Sequence, residues 1–299
     1  MRFTFRGGSW DLAERARVVG ILNVTPDSFY DGGRYASADH AVERAERMVE
    51  EGADAIDVGG ESTRPGAADL DAAEEWRRLE PALRALAGGR LPVPVSVDTC
   101  RGETARRALD LGAAVVNDIT GLAHDPSIAA HACRAGAGLV LMHSLGGPGR
   151  LHEPRRYGDL AAALREFLGA QLALAVSLGV PEERVALDPG IGFSKQAAQS
   201  VEALRAIPEL TALGRPLYIG VSRKSFLGAL TGQPVEARLA AGLGATVAAH
   251  ALGARIFRTH DVRETRDALR AAEAVLGPGP LPAPGPATAA GAPSTESRS

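Results

Sequence analysis

Asp57, Asp98 and Asp188 each close a short apolar run, and Asn117 closes another. An ionised aspartate only accepts hydrogen bonds, whereas an asparagine both accepts and donates. Such acceptors held beside an amide could read the edge of a flat heterocycle that carries N–H and NH2 donors, a guanidine-like edge. Positive charge follows the later runs. Arg223 and Lys224 come after one, Arg258 and His260 after the next, and Arg64 lies in an earlier glycine-containing loop. Arginine forks match phosphate geometry and lysine adds a point charge. Asn23 closes the first run beside Thr25-Pro26-Asp27-Ser28. Its amide oxygen could bind a hard cation that keeps its waters and shares phosphate oxygens, or could simply orient that loop. Singly, each Asp could cap a helix and each Arg could be a solvated surface charge. Gathered at one mouth, they describe a site.

The elements that must gather them are legible as runs and spacings. Val18-Val24, Ala55-Val58, Val93-Val97, Ala114-Val116, Leu139-Met142, Val185-Leu187, Leu217-Val221 and Ala254-Phe257 are continuous apolar segments. Parallel strands buried on both faces have that character. Helical stretches are predicted at 38–51, 71–87, 101–111, 125–135, 158–178, 198–206, 235–252 and 263–276, with Asp125-Pro126 as a cap followed by a first-turn proline. The alternation predicts a single (β/α)8 TIM barrel, an α/β fold whose active site sits at the C-terminal ends of the strands. Phosphate is commonly bound after its seventh and eighth strands. Residues 1–17 are expected to cover the other end of the barrel, 18–276 to form it, and 277–299, rich in Pro and Ala, to be a disordered tail. Loops 25–36, 59–69 and 144–154 all fall at the catalytic face, where longer loops tend to be functional.

Composition narrows the class. The chain has 299 residues, 45% hydrophobic and 4% aromatic, with a net charge of −3. That suits a core of Val, Leu, Ile and Ala. No long basic run marks a nucleic-acid partner. Two cysteines without metal-ligand spacing fit a reducing compartment. No signal-peptide apolar region and no uninterrupted apolar stretch of membrane-spanning length are evident, so a cytoplasmic protein with no membrane partner is expected.

Seven stretches together resemble the dihydropteroate synthase family. They are Gly20-Ile-Leu-Asn-Val-Thr-Pro-Asp-Ser-Phe-Tyr-Asp-Gly-Gly33, Asp57-Val-Gly-Gly-Glu-Ser-Thr-Arg-Pro-Gly66, Ser96-Val-Asp-Thr99, Val116-Asn-Asp-Ile119, Asp188-Pro-Gly-Ile-Gly-Phe193, Ser222-Arg-Lys-Ser225 and Arg258-Thr-His-Asp-Val262. The resemblance spans about residues 18–276 in the family's order. It implies condensation of 6-hydroxymethyl-7,8-dihydropterin pyrophosphate with p-aminobenzoate, giving 7,8-dihydropteroate and pyrophosphate. It implies that Asp98, Asn117, Asp188 and Lys224 hold the pterin, with Asp57, Met142 and Phe193 around it. Asn23, Thr63, Arg64, Arg258 and His260 would engage pyrophosphate, with Mg2+ as cofactor at Asn23. Thr63, Arg64, Pro65, Phe193 and Ser222 would form the p-aminobenzoate pocket, with Phe29 and Asp31 on the first loop. Catalysis would fall to Asp98, Arg64, Lys224, Arg258 and His260. The path implied is dissociative, with pyrophosphate leaving before the amine attacks. Sulfonamides, which mimic p-aminobenzoate, are the inhibitors implied, and a homodimer through the late helices is the assembly implied.

The sequence departs from the family pattern in two places. Met142-His143-Ser144 has serine where a second methionine is usual, and Ser194-Lys195-Gln196 runs on to Gln199-Ser200 without the usual Asn, which bears on capping of the sixth helix. Two other readings share much of the pattern. A pterin-dependent methyltransferase domain would be expected to accompany a cobalamin module, and a non-catalytic pterin-binding paralogue would be expected to lose Asn23, Arg64, Arg258 and His260.

Overall fold

The computed structural model describes residues 1–24, 33–60, 70–147, 150–151 and 153–277, with 33–37 by backbone alone. The predicted loop and tail residues outside those ranges, including Phe29, Asp31, Thr63, Arg64 and Pro65, lie outside the described residues.

The chain opens with a hairpin, β1 (Arg2–Phe5) and β2 (Gly8–Asp11), paired antiparallel around Gly7 at φ +80°. Phe3, Phe5, Trp10 and Leu12 from this segment pack into the barrel interior against Val19, Ala55, Val115, Val140, Ala186, Tyr218 and Ile256. The hairpin therefore plugs the N-terminal end of the barrel. Each large side chain buried this way contributes about 1.5–3 kcal/mol. The start of the strand that receives Phe3 is Gly138, where an added Cβ would lie 2.7 Å from the Phe3 ring.

The barrel strands are β3 (Arg17–Asn23), β4 (Ala55–Gly59), β5 (Val95–Asp98), β6 (Val115–Asp118), β7 (Gly138–Met142), β8 (Val185–Asp188), β9 (Tyr218–Gly220) and β10 (Ile256–Thr259). They lie in the order β8-β7-β6-β5-β4-β3-β10-β9, and every pairing is parallel. A bridge from Leu187 to Leu217 closes the ring, with the Leu187 N–H donating to the Pro216 carbonyl at 2.9 Å. The result is the TIM barrel expected from the apolar runs.

Helices cover the outside: α1 (Gly33–Glu50), α2 (Ala72–Leu86), α3 (Gly102–Asp110), α4 (Ser127–Ala135), α5 (Leu160–Ser177), α6 (Ala197–Arg205), α7 (Ile207–Thr211), α8 (Ser225–Thr231), α9 (Leu239–Ala251) and α10 (Val262–Leu276). Because side chains alternate along a strand, Ile56 and Val58 join the layer beneath the helices while Ala55 faces the barrel axis. Asp71 and Asp159 cap α2 and α5 by accepting from Glu74 N at 2.8 Å and Ala162 N at 2.9 Å. α4 begins one residue later than its sequence suggests. Pro126 occupies the cap, while Asp125 accepts from Ser127 N at 3.0 Å and Gly102 N at 2.7 Å, tying α3 to α4. α6 retains a capped start despite lacking the family's asparagine, because Gln199 Oε1 accepts from Gln196 N at 2.7 Å.

α5 is long and apolar enough to cross a membrane by length and composition. It includes Arg165 and Glu166, and it turns Leu160, Leu164, Leu168 and Ala175 into the core.

Candidate active site

Inward-facing positions at the C-terminal ends of the strands carry the charge. Asp57 on β4, Asp98 on β5, Asn117 on β6, Asp188 on β8 and Arg258 on β10 are brought together in one bowl. Arg258 is its hub. Its Nε donates to Asp57 Oδ2 at 2.7 Å and its terminal nitrogen to Asp98 Oδ2 at 2.7 Å. Asn117 Nδ2 adds a second hydrogen bond to Asp57 Oδ2 at 3.0 Å. Burial draws the Arg258 pKa down, yet Asp57 and Asp98 hold it above the usual arginine value. The carboxylates differ in access. Asp57 is fully buried, whereas the Asp98 side chain keeps 10% of its exposure. Asp57 thus supports Arg258 and Asn117 from below, a different place from the open edge its strand-end position suggested.

Across the bowl, Asp188 Oδ1 accepts from Gly190 N at 2.7 Å. Burial pushes the Asp188 carboxyl up, and Lys224 opposes that rise. Burial pulls the Lys224 ammonium down to about 8, with Asp188 opposing. Lys224 Nζ also stands 4.5 Å from the centre of the Phe193 ring and donates to the Ile191 carbonyl. Met142, Leu151 and Phe193 form a small apolar cluster with Ile119 packed on it. A flat ring would meet apolar walls here and a polar edge made of carboxylates, an amide and an ammonium. Ser144 accounts for its difference from the family: its hydroxyl donates to the Ile119 carbonyl at 2.8 Å and ties two loops of this wall together.

The loops after β9 and β10 meet through Ser222 and His260. Ser222 Oγ lies 3.0 Å from His260 Nδ1 and accepts from His260 N at 3.3 Å. Arg223 behaves differently from its neighbours. Held at φ +59°, it turns to the rim and pairs with Asp261, its side chain 48% exposed. It therefore adds little positive charge to the mouth. Asn23, at the end of β3, flanks Gly59 together with Asp98: a Cβ on that glycine would lie 3.5 Å from Asn23 Oδ1 and 3.6 Å from Asp98 Cβ.

Three features carried no sequence signal of a role. Tyr218 puts its phenol inside the barrel, where its oxygen, like Asp57 Oδ1 and Ser96 Oγ, has no hydrogen-bond partner among the described residues. Burial, reinforced by Asp57, raises that phenol well above its ordinary value. Glu75 is buried on α2 and accepts from Thr99 at 2.9 Å and Thr104 at 2.5 Å, and Arg101 bonds it at 3.2 Å while reaching the Leu70 carbonyl. Lys195 is buried against His143. A spacing argument had no access to any of them, because each depends on partners far away in the chain.

A profile of the family described as pterin binding enzyme matches residues 19–260. The dihydropteroate synthase of Synechocystis is 46% identical over 89% of this chain and 92% of its own length. The chain belongs to the dihydropteroate synthase family. Among solved structures, the Xanthomonas albilineans dihydropteroate synthase with 4-aminobenzoic acid superposes with a TM-score of 0.85 at 39% identity, covering 92% of this chain and 98% of that one. The Yersinia pestis dihydropteroate synthase in a sulfonamide drug complex gives 0.84 at 39% identity, covering 92% and 99%. A dihydropteroate synthase is a transferase, and the bowl at the strand ends is where the barrel of this family member concentrates its charge.

Proposed function

We propose that this bowl joins 6-hydroxymethyl-7,8-dihydropterin pyrophosphate to p-aminobenzoate, with the pterin in the slot bounded by Asp98, Asn117, Met142, Asp188, Phe193 and Lys224. The observation that carries the reading is the Asp57–Arg258–Asp98 bridge, with the Lys224 ammonium over the Phe193 ring across the bowl. It puts acceptors where a guanidine-like ring edge needs them and a cation where a leaving diphosphate would develop charge.

Arg258 and His260, with Arg64 and Thr63 from the second loop, engage the pyrophosphate. The C–O bond to the exocyclic carbon breaks and its electron pair leaves with pyrophosphate. Asp98 stabilises the cation left on the pterin, a preorganised electrostatic effect. The p-aminobenzoate amine then forms the C–N bond and gives up a proton. Ser222, Phe193 and Pro65 bound its pocket, and Phe29 and Asp31 close the site against water that would trap the cation. Asp57 acts through Arg258 and Asn117.

The donor set suits Mg2+. Asn23 offers a neutral hard oxygen on the rim, and no cluster of three or more His, Cys, Asp or Glu residues suited to a metal occurs among the described residues. An ion that keeps its waters and shares diphosphate oxygens needs no more than that. When bound it supplies neutralisation of the leaving group's charge.

Sulfonamides are the inhibitors expected, as p-aminobenzoate mimics. The outward face of α9 exposes Leu239, Ala240, Gly244, Ala248 and Ala251, a small-residue surface that supports a homodimer. The chain's place is the cytoplasm. The deciding experiment follows pyrophosphate release and dihydropteroate formation by the purified protein with Mg2+, with and without p-aminobenzoate. Dihydropteroate that depends on both substrates supports the reading. Pterin binding without either product refutes it in favour of a non-catalytic binder.

A further inference from the structure

The segment from Asp188 to Ser194 leaves β8 without forming regular structure, and Gly190, Gly192 and Ser194 all have positive φ, at +68°, +79° and +52°. A backbone of this kind persists only when its surroundings over-determine it. Here the surroundings are two lysines. On the side facing the bowl, Lys224 donates to the Ile191 carbonyl and stands over the Phe193 ring. On the far side, Lys195 Nζ donates to the Gly190 carbonyl at 3.1 Å and to the Phe193 carbonyl at 3.1 Å, and lies 2.9 Å from His143 Nδ1. Lys195 is 6% exposed and His143 1% exposed. The fit is close: an added Cβ at Gly190 would overlap the His143 carbonyl and lie 3.4 Å from Lys195 Nζ.

His143 is in turn fixed. Its N–H donates to the Asp188 carbonyl at 2.8 Å, and its ring meets Phe167 edge-on at 4.8 Å between centroids. Burial, with the Lys195 charge adding to it, draws the His143 imidazole down to about 3, so it stays neutral and its Nδ1 accepts. Tyr157 donates to the Ser194 carbonyl at 3.1 Å and fastens the end of the segment. An ammonium has three protons to give, and here it finds three acceptors.

We infer that Lys195 is a positioning residue for the pterin: its ammonium staples the Gly190 and Phe193 carbonyls to His143 and so fixes where Asp188 and Phe193 meet the ring. This rests on the assignment of the Asp188–Phe193 loop to the pterin. Lys195 touches no substrate on this account. Its charge also faces the Asp188 carboxylate and the Lys224 ammonium through space, and burial first, with Lys224 adding to it and Asp188 opposing, draws its own ammonium down to about 7.

The test compares Lys195→Met, Lys195→Arg, His143→Leu and Asp188→Asn by steady-state kinetics with both substrates varied. Lys195→Met is expected to raise the KM for dihydropterin pyrophosphate by about tenfold or more, the worth of losing charge-assisted hydrogen bonds. The KM for p-aminobenzoate is expected to rise less, since of the two residues the staple fixes only Phe193 borders that pocket. Lys195→Arg, which keeps charge and donors, is expected to recover part of the pterin KM. A lower kcat or a smaller folded fraction at unchanged pterin KM would overturn the inference, because a purely structural lysine gives that pattern. If Lys195→Met does not fold, His143→Leu removes one acceptor and is expected to shift the pterin KM in the same direction; no shift would overturn the inference. Asp188→Asn separates the two levels. An unchanged pterin KM there overturns the loop assignment and the inference with it, while a raised one beside an indifferent Lys195→Met overturns the inference alone.

Discussion

Replacing Arg258 by methionine separates what this residue does for the fold from what it does for the reaction. Its guanidinium makes two charge-assisted hydrogen bonds of 2.7 Å, to Asp57 and Asp98. Methionine fills much of the volume and supplies neither. Asp98 retains some access to solvent, but the Asp57 side chain has none. Among the described residues its Oδ2 would be left with the Asn117 amide alone, and Oδ1 has no partner already. Breaking a buried ion pair by removing one member costs about 3–5 kcal/mol, because a buried charge is left uncompensated. With about 2–4 °C of Tm per kcal/mol for a domain of this order, the fall is roughly 6–20 °C. Adding Asp57→Asn removes the stranded charge. The double variant is therefore expected to recover at least about half of the lost stability, since replacing both partners of a buried pair is far less costly than breaking it. Activity should not follow. Both variants are expected to lose about 10²–10³ in kcat/KM for the pyrophosphate substrate, the usual effect of removing one preorganised group from a developing negative charge. Differential scanning calorimetry gives the first comparison and a coupled pyrophosphate assay the second. An Arg258→Met Tm within about 2 °C of the parent, less than a single kcal/mol would produce, would refute the buried-pair reasoning. A double variant no more stable than the single one would do the same.

Lys224 is a cation below about 8 and loses its charge above it, since burial has drawn its ammonium down while Asp188 opposes. The KM for the pterin substrate should therefore rise as the pH climbs through that value, and Lys224→Met should show a high KM with no such step; a step that survives the substitution would assign it elsewhere. Asp98→Asn is expected to slow single-turnover pyrophosphate release by about 10² while leaving the fold intact, and normal release by the purified variant would exclude Asp98 from stabilising the cation. Tyr218→Phe removes a buried hydroxyl that has no partner among the described residues, so stability should rise by about 1 kcal/mol. A lower Tm in the calorimeter would mean the phenol is satisfied and would contradict that account.

Strand ends were legible because both faces of a parallel barrel strand are buried, so each strand writes itself as an apolar run that stops where the bowl begins. Asn23, Asp57, Asp98, Asn117, Asp188 and Arg258 followed from that alone, together with the barrel. Depth within the bowl did not. Asp57 and Asp98 end adjacent strands in the same manner, and only the stagger of β4 against β5, with Asp57 level with Ser96 and Gly59 level with Asp98, sets one a layer below the other. The N-terminal hairpin and α8 are too short to display a period. α7 is separated from α6 at Ala206, just before Ile207-Pro208, and the helix expected from residue 235 divides into a short turn at Val235–Ala237 and α9. Arg223 read as one of several mouth cations, and its positive φ, which turns it to Asp261, has no signature in the residue type. Lys195 lies inside a segment that departs from the family pattern, and its importance appears only once His143, 52 positions away after another strand end, is beside it.

Strand order gives Arg258 a property that its charge alone does not. In the sheet β10 is separated from β4 by β3, and from β5 by β3 and β4. To reach Asp57 and Asp98 together the side chain must cross over β3, and a fork with distinct Nε and terminal donors can hold one carboxylate with each. A lysine would present a single point charge to both. The two ends of the fork are not equivalent. Nε is bound to a carboxylate with no solvent access, while the terminal nitrogen is bound to one that is partly open. On the proposed assignment, an arriving diphosphate competes with Asp98 for the outer end of the guanidinium and leaves the inner end anchored. On that assignment Asp98 would be freed toward the ring as the leaving group is gripped. Asp57 would make that exchange possible by keeping Arg258 in place throughout, and on that assignment it would matter to the reaction without meeting the substrate.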